Sequence, residues 1–228
     1  MTRNLILVPT ESERDILQPL ITSALGADDQ VELCGFGLVA AAALTAQYIA
    51  GHQPERVILA GIAGTFCDDL PVGTAVAFDR VSCCGIGAGS GEEHQTAGAM
   101  GWHHVGGQVS DDNDDGPIIT DTIVLRETDS DLANRPLELL SVAAVSGDES
   151  DAAIRRRQFP DAAAEDMEGF AVAMSCRLAD VPVSIIRGIS NEVGDREIAN
   201  WRIKPALEAA AELAKKISAD KAVRDKNT

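Results

Sequence analysis

Short aliphatic runs alternate with longer amphipathic ones along this chain, and that alternation constrains the fold more than any other feature. Asn4 to Val8 (NLILV) precedes PTESERDILQPL, Val31 to Cys34 precedes the alanine-rich Leu38 to Ala50, and Val57 to Ala60 leads to the glycine turn GIAGT. Apolar runs of four or five residues, bounded by polar or glycine-containing segments, read as strands buried on both faces. Strand, helix, strand repetition then implies parallel crossovers, so the chain is read as an α/β protein with a mainly parallel sheet covered on both sides. The order lapses in the middle. Leu70 to Gly73 reads as a turn into the β-rich AVAFDRVSC, and GIGAGSGEEHQTAGAMGW holds too much glycine for a regular element. Regularity returns with a strand over Leu139 to Val145, the segment SGDESDAAIRRRQFP, a helix over Glu168 to Leu178, a strand over Val183 to Ile189 and a helix from about Ile203 to Ile217. With 228 residues, a single domain spanning 1–228 is expected, its last residues 220–228 (DKAVRDKNT) fraying.

Charge and cysteine usage exclude several functions. A formal charge of −17 argues against nucleic acid as a partner, because phosphate binding needs a clustered basic surface. The one short cluster, Arg155 to Arg157, stands beside Asp151 and Asp161. The acidic run Asp111 to Gly116 (DDNDDG) lacks the spaced oxygen ligands and distal glutamate of a calcium loop and reads as a solvated loop. The five cysteines form no C-x-x-C pair and follow no secretory leader, so reduced thiols in a cytoplasmic protein are expected. Adjacent His103 and His104 do not supply zinc-ligand spacing, and no metal is expected. No apolar segment reaches the roughly 20 residues of a membrane span. Neither G-x-G-x-x-G in its strand-to-helix setting nor G-x-S-x-G occurs, which leaves dinucleotide binding and serine hydrolysis without support.

Three segments hold residues suited to chemistry. Glu11 and Glu13 follow the first strand, where acidic residues favour the first turn of a helix and where ligands of α/β sheets also collect. In AEDMEGFAVA, Asp166 and Glu168 precede an apolar helix; one can be a cap, and a carboxylate beside Met167 and Gly169 can equally hold vicinal sugar hydroxyls. The third is IIRGISNEVGDREIANW, which places Arg187, Ser190, Asn191 and Trp201 around one loop. Trp201 can stack on a planar heterocycle or close a core. Asn191 can cap a turn or read a ligand through its amide.

Taken together, ILVPTESE, LAGIAGTF with LPVGTAVAFDRV, VSGD, EDMEGFAVA and IIRGISNEVGD, in that order from about Leu5 to Ala214, resemble the purine nucleoside phosphorylase and nucleosidase superfamily, in its nucleoside hydrolase branch. The resemblance implies a nucleoside phosphorylase/hydrolase-like three-layer α/β/α sandwich with a mixed central sheet. It also implies a small-molecule nucleoside substrate, no cofactor and a homo-oligomer. Carried over residue by residue, Glu13 activates water, Glu168 grips ribose hydroxyls and Met167 lies against the ribose. Ala63 and Gly64 match contacts near sugar and base, Trp201 matches an aromatic beside the purine, and Ile62 stands where some relatives carry serine. Methylthioadenosine/S-adenosylhomocysteine nucleosidases usually carry aspartate where this chain has Asn191, and the amide suits a 6-oxopurine rather than adenine. MEG, RGISN and DRE..NW, with no base-contacting aromatic near Ser150, are similar to the futalosine hydrolases, which release hypoxanthine on a route to menaquinone. For the carboxylated aromatic part of such a substrate, Gly85 to Trp102 and Arg187 are candidates, with core support the favoured role for Arg187. A phosphorylase would need an anion pocket, for which Arg14 is a weak signal, and a non-catalytic nucleoside-binding protein is the third alternative.

Overall fold

The computed structural model describes residues 2–107, 117–125 and 136–219. The acidic run 111–116 and the tail 220–228 lie outside the described residues. In chain order the elements begin β1 (Asn4–Val8), α1 (Glu11–Ile21), β2 (Gln30–Leu33), α2 (Gly37–His52) and β3 (Arg56–Thr65). The glycine-rich middle follows as β4 (Ala75–Ala77), β5 (Arg80–Cys84), β6 (Gly87–Ala88), β7 (Gln95–Thr96) and β8 (Thr122–Val124). The last third contains β9 (Glu138–Val142), α3 (Glu149–Gln158), β10 (Ala162–Asp166), α4 (Gly169–Leu178), β11 (Val183–Glu192) and α5 (Ile203–Ala219).

A mixed nine-stranded sheet organises these elements in the order β2-β1-β3-β10-β9-β5-β8, with β11 paired along β3 and β4 on its far side. Pairing is parallel for β1 with β2 and β3, for β11 with β3, and for β9 with both β5 and β10. The antiparallel pairs are β10 with the end of β3, β4 with β11, and β8 with β5. Strand periodicity explains the layers. In β1, Leu5 and Leu7 join the core under α2 and α4, while Ile6 and Val8 join the one under α1 and α5. A strand buried on both faces has little room for polar side chains, which is why LILV reads as an unbroken apolar run, and the buried Asn4 before it is satisfied by Asp29 and Arg56. Truncating one such side chain, for example Leu7→Ala, would cost about 2–5 kcal/mol. The result is the three-layer α/β/α sandwich that the resemblance implied.

Two strands differ from the sequence reading in ways that shape the site. GIAGT is strand and not turn: β3 runs through both glycines and stays paired with β11 from Val57 to Thr65. The glycines serve close approach. A Cβ on Gly61 would sit 2.3 Å from Arg187 Nη1 and 2.8 Å from Glu13 Oε1, so any larger residue would push two charged groups aside. Glycine at 188 plays the same part for α5, since a Cβ there would lie 2.1 Å from the Ala206 carbonyl oxygen. Conversely, the strand read as Leu139 to Val145 ends at Val142. Ala143 N still donates to Cys84 O at 3.3 Å, and the chain then leaves the sheet, freeing Val145 and Ser146 to form a wall.

The glycine-rich middle folds as the irregular excursion it resembles in sequence, holding the two-residue β6–β7 pair and a single 3-10 turn at Gly91–Glu93 between them. His104 helps hold it to the body of the protein, its Nε2 lying 3.1 Å from Asp121 Oδ1 and its ring 4.9 Å from that of Phe170. All five cysteines are free thiols. Burial pushes Cys34 and Cys83 up to about 12, so neither is poised as a nucleophile. No helix among the described residues is long and apolar enough to cross a membrane.

Candidate active site

The carboxyl ends of β1, β3, β9 and β11 and the end of β10 meet around one cavity of about 480 Å³. Such a crevice beyond strand ends is where open α/β sheets bind ligands. Of the residues singled out in the sequence, Glu13, Ala63, Gly64, Met167, Glu168, Asn191 and Trp201 line it, and Glu11 does not. Arg187 does not, and neither does any residue of Gly85 to Trp102. Arg187 is wholly buried under the cavity, in keeping with core support, and the glycine-rich excursion contributes no lining residue within a single chain.

Glu13 illustrates how local sequence aims a functional group. Thr10 caps α1, its Oγ1 accepting from Glu13 N at 3.3 Å and donating to Glu13 Oε2 at 2.5 Å. The other carboxylate oxygen accepts from Ile62 N of β3 at 3.0 Å. The T-x-x-E spacing of a capping box thus turns the glutamate across to the neighbouring strand, where both oxygens are held and only 6% of the residue is exposed.

Glu168 is fixed from two sides. It immediately precedes α4, but it is Asp166 whose Oδ2 accepts from Gly169 N at 2.9 Å and caps that helix. Glu168 is left to face the cavity, its Oε1 accepting from Gly37 N at 3.0 Å and its Oε2 from Arg187 Nη2 at 3.2 Å. Gly37 is the first residue of α2, so the carboxylate also sits at the positive end of that helix. Arg187 binds Asp166 through Nε at 3.0 Å and Nη2 at 2.5 Å, and Asp166 Oδ1 accepts from Ser141 Oγ at 2.5 Å. The guanidinium's Nη1 has no hydrogen bond among the described residues and abuts Gly61, where Glu13 Oε1 also converges.

Three carboxylates thus surround one buried cation. Burial raises the Glu168 carboxyl to about 7, with Arg187 lowering it and Asp166 adding to the rise. For Arg187, burial opposes the charge, but Asp166, Glu168 and Glu13 outweigh it and raise its pKa. One cation cannot balance all three anions in a dry site, and the net cost shows at Glu168.

Opposite this charged floor lies a neutral wall. Asn191 is near the end of β11, past a bulge at which Ile189 pairs with Ala63 and Asn191 with Gly64. Its Nδ2 donates to Glu192 O at 2.7 Å and to Asp195 O at 3.4 Å, while Oδ1 accepts from Ser190 Oγ at 2.7 Å. Carbonyl oxygens only accept, so they fix the amide orientation that sequence leaves open. Gly64 leaves room for this amide; a Cβ there would be 3.3 Å from Nδ2. Trp201 donates from Nε1 to Asp195 O at 3.0 Å, so a single backbone carbonyl ties the indole to the amide.

Residues that the sequence reading did not place also line the cavity, among them Ile16, Phe36, Ser146, Glu165, Val193 and Arg196. Ser146 is held by Glu165, whose Oε1 accepts from Ser146 N at 2.8 Å and whose Oε2 accepts from Ser146 Oγ at 2.9 Å. Arg155 adds a third link by donating to both side chains. Arg155 to Arg157, noted in the sequence as a short basic cluster, are each paired with a glutamate: Glu165, Glu149 and Glu92 respectively.

Comparison with known proteins agrees with this geometry. Residues 21–224 match the model of the phosphorylase superfamily. A futalosine hydrolase from Streptomyces coelicolor is 33% identical over 189 residues, covering 81% of this chain and 76% of that protein. A 5′-methylthioadenosine/S-adenosylhomocysteine nucleosidase from Shewanella sediminis is 27% identical over 180 residues, covering 75% of this chain and 71% of the relative. Among solved structures, a nucleosidase of that second kind from Colwellia psychrerythraea, in complex with adenine, superposes with a TM-score of 0.72 at 22% identity, covering 95% of this chain and 94% of the other. The chain therefore belongs to the phosphorylase superfamily, among its futalosine hydrolase relatives.

Proposed function

We propose that the protein hydrolyses the N-glycosidic bond of futalosine, releasing hypoxanthine and dehypoxanthinyl futalosine on the futalosine route to menaquinone. The observation that carries this reading is the convergence of Glu13, Glu168 and Asn191 on one cavity, in a chain 33% identical to a futalosine hydrolase. Glu13 takes a proton from water as the water attacks the anomeric carbon. Glu168 accepts hydrogen bonds from the ribose hydroxyls, with Met167 against the sugar. As the C–N bond breaks, its electrons pass to the purine, which takes a proton on a ring nitrogen from solvent water, while the proton gained by Glu13 is returned to solvent. Asn191 faces that group with the Oδ1 lone pair that Ser190 Oγ does not take, since its N–H groups are engaged by Glu192 and Asp195. An interaction made with a protonated leaving base and not with the neutral substrate lowers the barrier to cleavage. Trp201, Ala63 and Gly64 complete the base and sugar contacts.

The protein acts in the cytoplasm, as one unit of residues 1–228 and as a homo-oligomer. Phe36, 67% exposed at the cavity rim, and Val39, 86% exposed on the first turn of α2, support a covering neighbour. Arg14, the cation weighed for a phosphorylase, is not among the cavity-lining residues, and this favours water over phosphate as nucleophile. The experiment is to incubate purified protein with futalosine, inosine, methylthioadenosine and S-adenosylhomocysteine, with and without phosphate. Phosphate-independent hypoxanthine release from futalosine is the expected result, and preferential adenine release would replace the reading with a methylthioadenosine nucleosidase. In Glu13→Gln, kcat falls by about 10²- to 10⁴-fold while the protein remains folded.

A further inference from the structure

The cavity is lined by four carboxylates, Glu13, Glu165, Asp166 and Glu168, on a chain of formal charge −17. An anionic ligand would be repelled unless some part of the wall answered its charge. Among the lining residues only Arg196 can do so. It is exposed, so it stands at the cavity mouth, and it makes no ion pair among the described residues. Its acidic neighbours in sequence are engaged elsewhere. Asp195 Oδ1 accepts from Glu197 N at 2.8 Å and Oδ2 from Asn200 Nδ2 at 3.0 Å, while Glu197 Oε1 accepts from Ala199 N at 3.4 Å.

The guanidinium is also held in place. Its carbon lies 5.0 Å from the centroid of the Trp201 ring, a cation–π contact, and the indole is itself anchored through Nε1 to Asp195 O. Stacking leaves the N–H edge of the guanidinium free for a carboxylate, whose two oxygens match that fork. Ile203, two residues beyond Trp201, packs in the same apolar cluster as Ile16 and Ile62, and all three line the cavity. These three isoleucines, beside a cation that makes no ion pair among the described residues, are complementary to a flat ring that carries an anionic group, and the Trp201 face turned away from Arg196 is left to the purine.

We propose that Arg196, stacked on Trp201, is a carboxylate-binding subsite that takes the anionic end of a nucleoside bearing an aryl carboxylate on its sugar side. This rests on the futalosine reading above and names the group within that site that recognises the acid. The test compares kcat/KM for futalosine and for its methyl ester, which differ in that charge, in the wild type, Arg196→Gln and Arg196→Lys. The wild type prefers the free acid by about tenfold, as a charge-assisted pair at a partly solvated site allows. Arg196→Gln brings the ratio close to one, chiefly through KM, and Arg196→Lys keeps part of it because the charge remains without the fork. A wild type that cleaves both compounds alike overturns the subsite alone, as does a preference that survives in Arg196→Gln. A wild type that cleaves neither overturns the functional reading itself.

Discussion

The floor and the wall of the cavity are built by opposite means. The floor is an ionic cluster of Asp166, Glu168 and Glu13 around the fully buried Arg187, tied down by Ser141 and by the first amide of α2. The wall is neutral: an asparagine amide and an indole, both held by backbone carbonyls of one short segment. Buried charges contribute little net stability but are costly to unbalance, so the floor is rigid and intolerant. Neutral hydrogen bonds are each worth about 1 kcal/mol, so the wall can change its chemistry without bringing down the fold. On the proposed reading, a sugar common to many nucleosides is thereby held by the intolerant part, and the base that distinguishes them by the tolerant one.

That contrast can be broken at its strongest point first. Arg187→Met leaves Asp166 and Glu168 buried without their cation and should destabilise the protein by about 3–5 kcal/mol in chemical denaturation; a loss below about 1 kcal/mol would show that the floor is not electrostatically tied. A gentler probe is Glu168→Gln. The native carboxyl, at about 7, lies above its ordinary 4.5, so the folded state holds a proton that the unfolded chain releases earlier. Stability from this group is therefore complete below the ordinary value and is lost as pH rises through 7. Denaturation from about pH 5 to about pH 8 should show the wild type losing stability relative to Glu168→Gln; parallel curves would mean that the site carries no stored proton. At the wall the expected effect is smallest. Asn191→Asp sets a carboxyl against the Glu192 and Asp195 carbonyl oxygens, which favours its protonated form. The ratio of methylthioadenosine to futalosine turnover should rise by about tenfold with little change in denaturation midpoint, and an unchanged ratio would remove Asn191 from base selection.

Much of this site is legible in sequence because its chemistry sits in contiguous motifs at strand ends. Glu13, Met167, Glu168 and Asn191 each lie in or beside a polar segment that follows an apolar run, and all reach the cavity. What sequence hides is contact between distant segments. The hydrogen bond from Gly37 N to Glu168 spans 131 positions, and Asp166 and Glu168 look equally like caps until Arg187 and Gly169 sort them. GIAGT was misleading for a related reason: glycine marks both turns and close backbone approach, and only the neighbours Arg187 and Glu13 distinguish the two. Arg196 sits in a quoted motif, DRE..NW, yet nothing local shows that it overhangs the cavity, because that depends on its stacking with Trp201. The strand that ends at Val142 and not Val145 belongs to the same class, since periodicity does not say where a chain leaves its sheet.

The bulge at Ser190 makes chain length itself a determinant of recognition. Because β11 advances by two residues from Ile189 to Asn191 while β3 advances by one, the amide reaches Gly64 through a local excess of backbone. Were the bulge ironed out with Ser190 kept in the ladder, Ser190 would stand opposite Gly64 and Asn191 would pass to the opposite face of the sheet, with every side chain of the motif still present. Substitutions in IIRGISNEVGD tune the wall, whereas a frameshift of one position in its pairing abolishes it. The segment should therefore tolerate changes of identity far better than changes of register.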